Sequence, residues 1–173
     1  MQIKFEHFSA CRVLIFYLPN GFYPAGAEFA TTKSQSESPF LADIMSIDGV
    51  ERCLLTPEAL AITYTPTAET ADIQALVLAE LDDYSDRPPF FTLAKQLPMK
   101  MEIAEAIADA FIRPTLFRDN GNIEFLQLQN NILTLRFTGH CAGCPYAQNT
   151  LNNVVARTLK KYLPQLEQVQ TEV

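Results

Sequence analysis

Gly139-His140-Cys141-Ala142-Gly143-Cys144-Pro145 sets two cysteines two residues apart on a turn, between an apolar strand-like run and a long amphipathic helical pattern. Two thiols at that spacing can point at one centre, which suits a metal, an iron–sulfur cluster or a disulfide alike. Pro145 has no N–H to leave unsatisfied, so it fits the first position of the following helix. On that reading the thiolates stand at the helix's positive end, where free N–H groups favour negative charge.

Working outward, Leu133, Leu135 and Phe137 alternate with Thr134 and Arg136, so residues 132–137 predict a strand with one buried face. Residues 123–128 predict its partner, with a hairpin turn at Gln129-Asn130-Asn131. Further back, Met99, Ile103, Ile107 and Phe111 recur every fourth residue, with Ala106 and Ala110 beside them, which is the stripe of an amphipathic helix. Pro114 should kink or end it, and Asp119-Asn120-Gly121 should close the element. Beyond the cysteines, Leu151, Val154, Val155, Thr158, Leu159 and Tyr162 mark a helix with Lys160-Lys161 in its last turn and Pro164 after it. Residues 166–173 read as a returning edge strand, and the order is α-β-β-α with a final β.

The first half has its own pattern. Short β-like runs recur over residues 3–29, with Pro19-Asn20-Gly21 as a turn, and predict neighbouring antiparallel strands. Ser38 can cap a helix that Pro39 opens and that Phe40, Leu41, Ile44, Met45 and Ile47 make apolar on one face, ending near Asp48-Gly49. Residues 50–55 and 60–64 read as strands about Thr56-Pro57-Glu58, and Ile73, Leu76, Val77, Glu80 and Leu81 as a second helix. Residues 82–98 contain Asp82-Asp83, Asp86, Pro88-Pro89 and Pro98, which disfavour a continuous helix or central strand. The expected class is α+β, in two small domains that each pack helices on an antiparallel or mixed sheet: 1–85, a linker over 86–98, and 99–173.

Of the 173 residues 48% are hydrophobic and 19% charged, an ordinary globular composition. No apolar run reaches the roughly 18 residues of a membrane span. Residues 1–98 hold six Lys/Arg against thirteen Asp/Glu and residues 99–173 hold seven of each, so the whole net charge of −7 lies in the first part. An acidic surface repels phosphate, which argues against a nucleic-acid partner. Four cysteines, two of them isolated at Cys11 and Cys53, make no disulfide framework and point to a reducing compartment, with the cytoplasm as the default expectation. The start shows no signal-peptide pattern.

The last 75 or so residues resemble the C-terminal domain of the NifU-like, or Nfu-type, iron–sulfur cluster scaffold proteins. The resemblance rests on Arg113-Pro114-Thr115-Leu116, Asp119-Asn120-Gly121-Asn122, and the cysteine turn followed by Thr150-Leu151. The first domain resembles the Nfu N-terminal domain through Ser38-Pro39-Phe40-Leu41-Ala42, Gly49-Val50 and Leu60-Ala61-Ile62-Thr63. The chain departs from the family where Asp-Gly-Gly-Asp becomes Asp119-Asn120-Gly121-Asn122, where Lys-x-Gly becomes Asn152-Asn153-Val154, and around Cys11, which lacks Thr-Pro-Asn-Pro. The resemblance implies a carrier, not an enzyme: a protein that binds a [4Fe–4S] cluster and hands it to apo client proteins, working with other cluster-assembly proteins.

Ligand counting agrees with that implication. A four-iron cluster generally takes four cysteines, one chain offers Cys141 and Cys144, and two chains of a homodimer supply four. Isolated Cys11 and Cys53 read as small buried apolar side chains. His140 reads as surface, and Arg113 as a partner of Asp119 or Asp109 or else a solvated cation. Hydrogen bonds to the cysteine sulfurs are expected from the backbone N–H groups of Ala142, Gly143 and the helix start. The same paired turns could hold zinc as a dimer staple. A thiol–disulfide redox protein also uses Cys-x-x-Cys, but in a βαβ context that the sequence does not suggest.

Overall fold

The computed structural model describes residues 2–23, 26–85 and 96–172. The chain divides into two compact units, Met1–Gln96 and Leu97–Val173, each with its own sheet. Most of the expected linker, residues 86–95, lies outside the described residues. Leu97 is buried, and its carbonyl accepts from Gln165 Nε2 at 3.4 Å within the second unit. The class is α+β. Among the described residues no helix is long and apolar enough to cross a membrane.

The first unit is a five-stranded antiparallel sheet of β1 (Lys4–Phe8), β2 (Val13–Tyr17), β3 (Glu28–Ala30), β4 (Val50–Leu55) and β5 (Ala59–Tyr64), in the order β1-β2-β5-β4-β3. Helix α1 (Pro39–Ile44) begins as its sequence dictates: Ser38 Oγ accepts the N–H of Leu41 at 3.2 Å, and Pro39 opens the first turn. Phe40, Leu41 and Ile44 are fully buried, each worth roughly 1.5–3 kcal/mol of transfer free energy. The helix ends earlier than expected, because Ser46 N–H and Ile47 N–H turn back to the carbonyls of Asp43 and Ile44 and tighten the exit.

Helix α2 (Thr70–Ser85) packs Ile73, Val77 and Leu81 into the same core as Leu14, Phe16 and Ile62. Leu76 lies on this helix as read, with its side chain 51% exposed. One expectation fails here: the helix runs through Asp82-Asp83, whose carboxylates occupy exposed helical positions where they interrupt no packing. Cys11 also differs from its reading: it lies in a 3₁₀ turn (Ser9–Cys11) and is only half-buried, whereas Cys53 is fully buried as expected.

The second unit starts with α3 (Met101–Phe111) and α4 (Arg113–Arg118), where Pro114 ends one helix by entering the first turn of the next. Strands β6 (Gly121–Gln129) and β7 (Ile132–Gly139) form a hairpin through Asn130 and Asn131, both in the left-handed region at φ 52° and 60°, the backbone of a type I′ turn. Leu133, Leu135 and Phe137 face the core. After the cysteine turn a continuous helical run comprises α5 (Ala147–Thr150), a π-helical stretch Leu151–Ala156 and α6 (Arg157–Tyr162), and buries Leu151, Val155 and Leu159.

Strand β8 (Gln168–Thr171) then pairs with β7 in parallel, so the sheet order is β6-β7-β8. This corrects one sequence expectation. Strand β7, the cysteine turn, the helical run and parallel β8 form a β-α-β unit with the turn after its first strand, a context that the sequence does not suggest.

Candidate functional site

The cysteine turn grows out of the tight end of the β6–β7 hairpin, where Gly121 pairs with Gly139. Gly139 has φ +62°, and a Cβ there would collide with the carbonyl of Asn120, which instead accepts the N–H of His140 at 3.0 Å. Only glycine fits that corner. At Gly121 a Cβ would fall on the sulfur of Cys141, so the absence of a side chain makes the seat in which this thiol rests.

From there the backbone turns three times: Ala142 N–H to the Gly139 carbonyl at 3.1 Å, Cys144 N–H to that of Cys141 at 3.3 Å, and Ala147 N–H to that of Cys144 at 3.0 Å. The last of these corrects the expected helix start. Pro145 and Tyr146 belong to a turn, and the helix opens at Ala147. Its positive end therefore lies farther from Cys141 than the sequence suggested.

The electrostatics follow. The Cys141 thiol is pushed above the ordinary thiol range, first by burial, then by the neighbouring Cys144 and by Asp119, and the backbone N–H of Asn122 only partly opposes this. The backbone group that favours its charged form is that of Asn122, in place of the expected Ala142, Gly143 or helix start. It comes from the beginning of β6, nearly twenty residues earlier, and its only sequence signal is the Asp119-Asn120-Gly121-Asn122 motif.

Cys141 and Cys144 are both half-buried and both free, and together they line an open depression of about 740 Å³ with Thr115, Leu116, Asp119 and Tyr146. Tyr146 is 69% exposed on its rim and His140 is exposed, as expected. Arg113 is not a solvated cation: it is 8% exposed and paired with Asp109 and Glu105. Cys11 and Cys53 belong to the other unit's sheet region, Cys53 in its core. Among the described residues no three His, Cys, Asp or Glu side chains are placed to hold one metal ion, so the turn presents two soft donors and no third. Although the β-α-β context suits a redox dithiol, an attacking thiolate wants a lowered pKa, and Cys141 has the opposite.

Residues 103–170 match the family model of the NifU-like domain. The second unit carries a NifU-like domain. The chain is also similar to NifU-like protein 5, mitochondrial, of Arabidopsis thaliana, with 29% identity over 163 residues that cover 84% of this chain and 58% of that protein. A Drosophila ananassae protein named NFU1 iron-sulfur cluster scaffold homolog, mitochondrial, is 32% identical over 134 residues, 76% of this chain and 44% of its own length. The crystal structure of a Staphylococcus aureus protein superposes with TM-score 0.40 and 16% identity, covering 46% of this chain and 98% of that one. The chain spans only about half the length of the curated relatives it matches.

These relatives overturn the cytoplasmic expectation, because they, and NifU-like protein 4 of Arabidopsis, are mitochondrial by name. Free cysteines report a reducing environment and do not separate one such compartment from another. Within the NifU-like domain the matched stretch takes in Arg113, Gly121, Gly139 and both cysteines of the turn, while Met101 and Glu102 of α3 precede it.

Proposed function

We propose that this chain is an iron–sulfur cluster scaffold or carrier: Cys141 and Cys144 bind a [4Fe–4S] cluster shared with a second copy, and the cluster passes to apo client proteins. The observation that carries the reading is a pair of half-buried free thiols on an open depression of a NifU-like domain, with no third ligand beside them among the described residues. The cluster is cargo. An open two-thiol seat suits cargo, since incoming thiolates must reach iron and replace those that leave. The relatives named scaffold homologs support the same role.

Residues 99–173 would hold the cluster, while the acidic domain of residues 1–85, joined through 86–98, would recognise or shield clients. Four thiolates from two turns would bind zinc equally well, so metal identity decides between carrier and staple. Protein purified without oxygen should be brown and contain iron and acid-labile sulfide in equal amounts, with four irons for every two chains. Zinc without sulfide, or a metal-free dithiol that cannot be reconstituted, overturns the proposal.

A further inference from the structure

The two thiols of the turn are held differently. Cys141 Sγ rests on the backbone of Gly121, in the space a Cβ would take. Gly121 belongs to paired strand, so this sulfur cannot swing outward without leaving a seat fixed by the Gly121–Gly139 pair. Cys144 has no such seat. Gly143 before it has φ +74° and nothing within 4 Å of where a Cβ would stand, and Pro145 and Tyr146 after it are exposed.

Resting on the carrier reading above, we propose that Cys141 is the anchoring ligand and Cys144 the exchanging one, with Gly121 as the positioning residue that seats the Cys141 sulfur. In the hand-off a client thiol gives up its proton and its sulfur forms a bond to the iron held by Cys144. The Fe–Sγ bond of Cys144 breaks, and Cys144 leaves with the electron pair as a thiolate that takes up the released proton. The cluster neither gains nor loses an electron. Cys141 tethers the cargo until the next exchange, so transfer is ordered and the cluster is not dropped into solvent between the two steps.

The test needs no cluster to begin. Treat the metal-free full chain with limiting iodoacetamide and map the alkylated peptides by mass spectrometry. Cys144 should be modified several-fold faster than Cys141, because the Gly121 backbone covers one side of the Cys141 sulfur. Gly121→Ala should bring the two rates together while the circular dichroism stays that of the parent, a change that a merely structural glycine would not produce. If that variant does not fold, the parent ratio decides: equal rates, or a faster Cys141, overturn the seating.

A second arm uses the loaded chain. After substoichiometric glutathione and an iodoacetamide quench, the first label should appear on Cys144, and first labelling of Cys141 overturns the order of exchange. The two readings fail separately. A chain that takes up no cluster sinks the carrier and its hand-off, whereas a loaded chain that labels both cysteines alike sinks only the division between them.

Discussion

Arg113 Nη1 donates to Asp109 Oδ1 at 2.6 Å, one helical turn back, and the two side chains are buried together. The same nitrogen donates to Glu105 at 2.6 Å, Nη2 donates to the Ile123 carbonyl at 3.2 Å, and the guanidinium lies 5.5 Å from the centre of the Phe125 ring. One side chain thus ties α3 and α4 to β6, the strand whose first residue seats Cys141. Arg113→Met breaks this buried ion pair, and should cost about 3–5 kcal/mol of stability. Arg113→Lys keeps the charge but not the fork, and should fall between. Urea unfolding of the full chain, following the transition of the C-terminal unit, gives both values. The double variant Arg113→Met/Asp109→Leu should recover much of the loss, and simple addition of the two single effects would show that the pair is not coupled.

Cluster uptake should depend on two cysteines only. Cys141→Ser and Cys144→Ser should each abolish iron and sulfide incorporation on reconstitution, while Cys11→Ser retains it. For Cys53 alanine is the better probe, because serine would bury a hydroxyl among the side chains of the hydrophobic core. Burial, with Glu28 beside it, raises the Cys53 thiol far above the ordinary range, which holds it protonated, whereas a ligand must be a thiolate. Loss of the cluster in a well-folded Cys53→Ala variant would falsify this ligand set.

Why some features were legible in the sequence and others were not follows from how local their causes are. Ser38-Pro39 and Asn130-Asn131 each dictate a cap or a turn within four residues, and both appear as read. Asp82-Asp83 misled because a pair of carboxylates disfavours a helix only slightly, and the packing of Ile73, Val77 and Leu81 carries α2 past them. The parallel pairing of β8 was hidden, since strand direction is decided by a crossover of nearly thirty residues and leaves no mark on the alternation of either strand. At the site, the Cys-x-x-Cys spacing named the thiols, but the seat of Cys141 on Gly121 comes from a hairpin closing on itself, which no local pattern states.

The first unit should lose stability in alkali through Tyr23. This side chain is 2% exposed, and burial, with Glu28 and Glu37 nearby, raises its phenol to about 12. The folded state then binds the proton more tightly than the unfolded one. Its contribution is fully present below the ordinary phenol pKa of about 10 and is lost as pH rises from there through 12. Over that window the loss should amount to roughly 2 kcal/mol. Compare urea midpoints for parent and Tyr23→Phe between pH 8 and pH 11.5. The parent should lose more than the variant, and parallel pH curves would show that this phenol titrates normally.

Molecular mass should follow cluster content. One turn supplies two thiolates and a four-iron cluster takes four, so the loaded form should be a dimer joined at the depression that holds Cys141 and Cys144, and the metal-free form largely a monomer. A small unit of this kind encloses little: domains near this size bury only about 60% of the surface of their unfolded chain. A cluster shared between two such faces is shielded while the copies are together and open to client thiols when they part. Light scattering before and after anaerobic chelation of the iron reads the change directly. Dilution should reinforce it, since a cluster-bridged dimer gains its stability from the shared iron and should shed cluster as the copies separate. A strictly monomeric chain with a full four-iron cluster would require two ligands from elsewhere, from Cys11 or from an added thiol, and would end the bridging model.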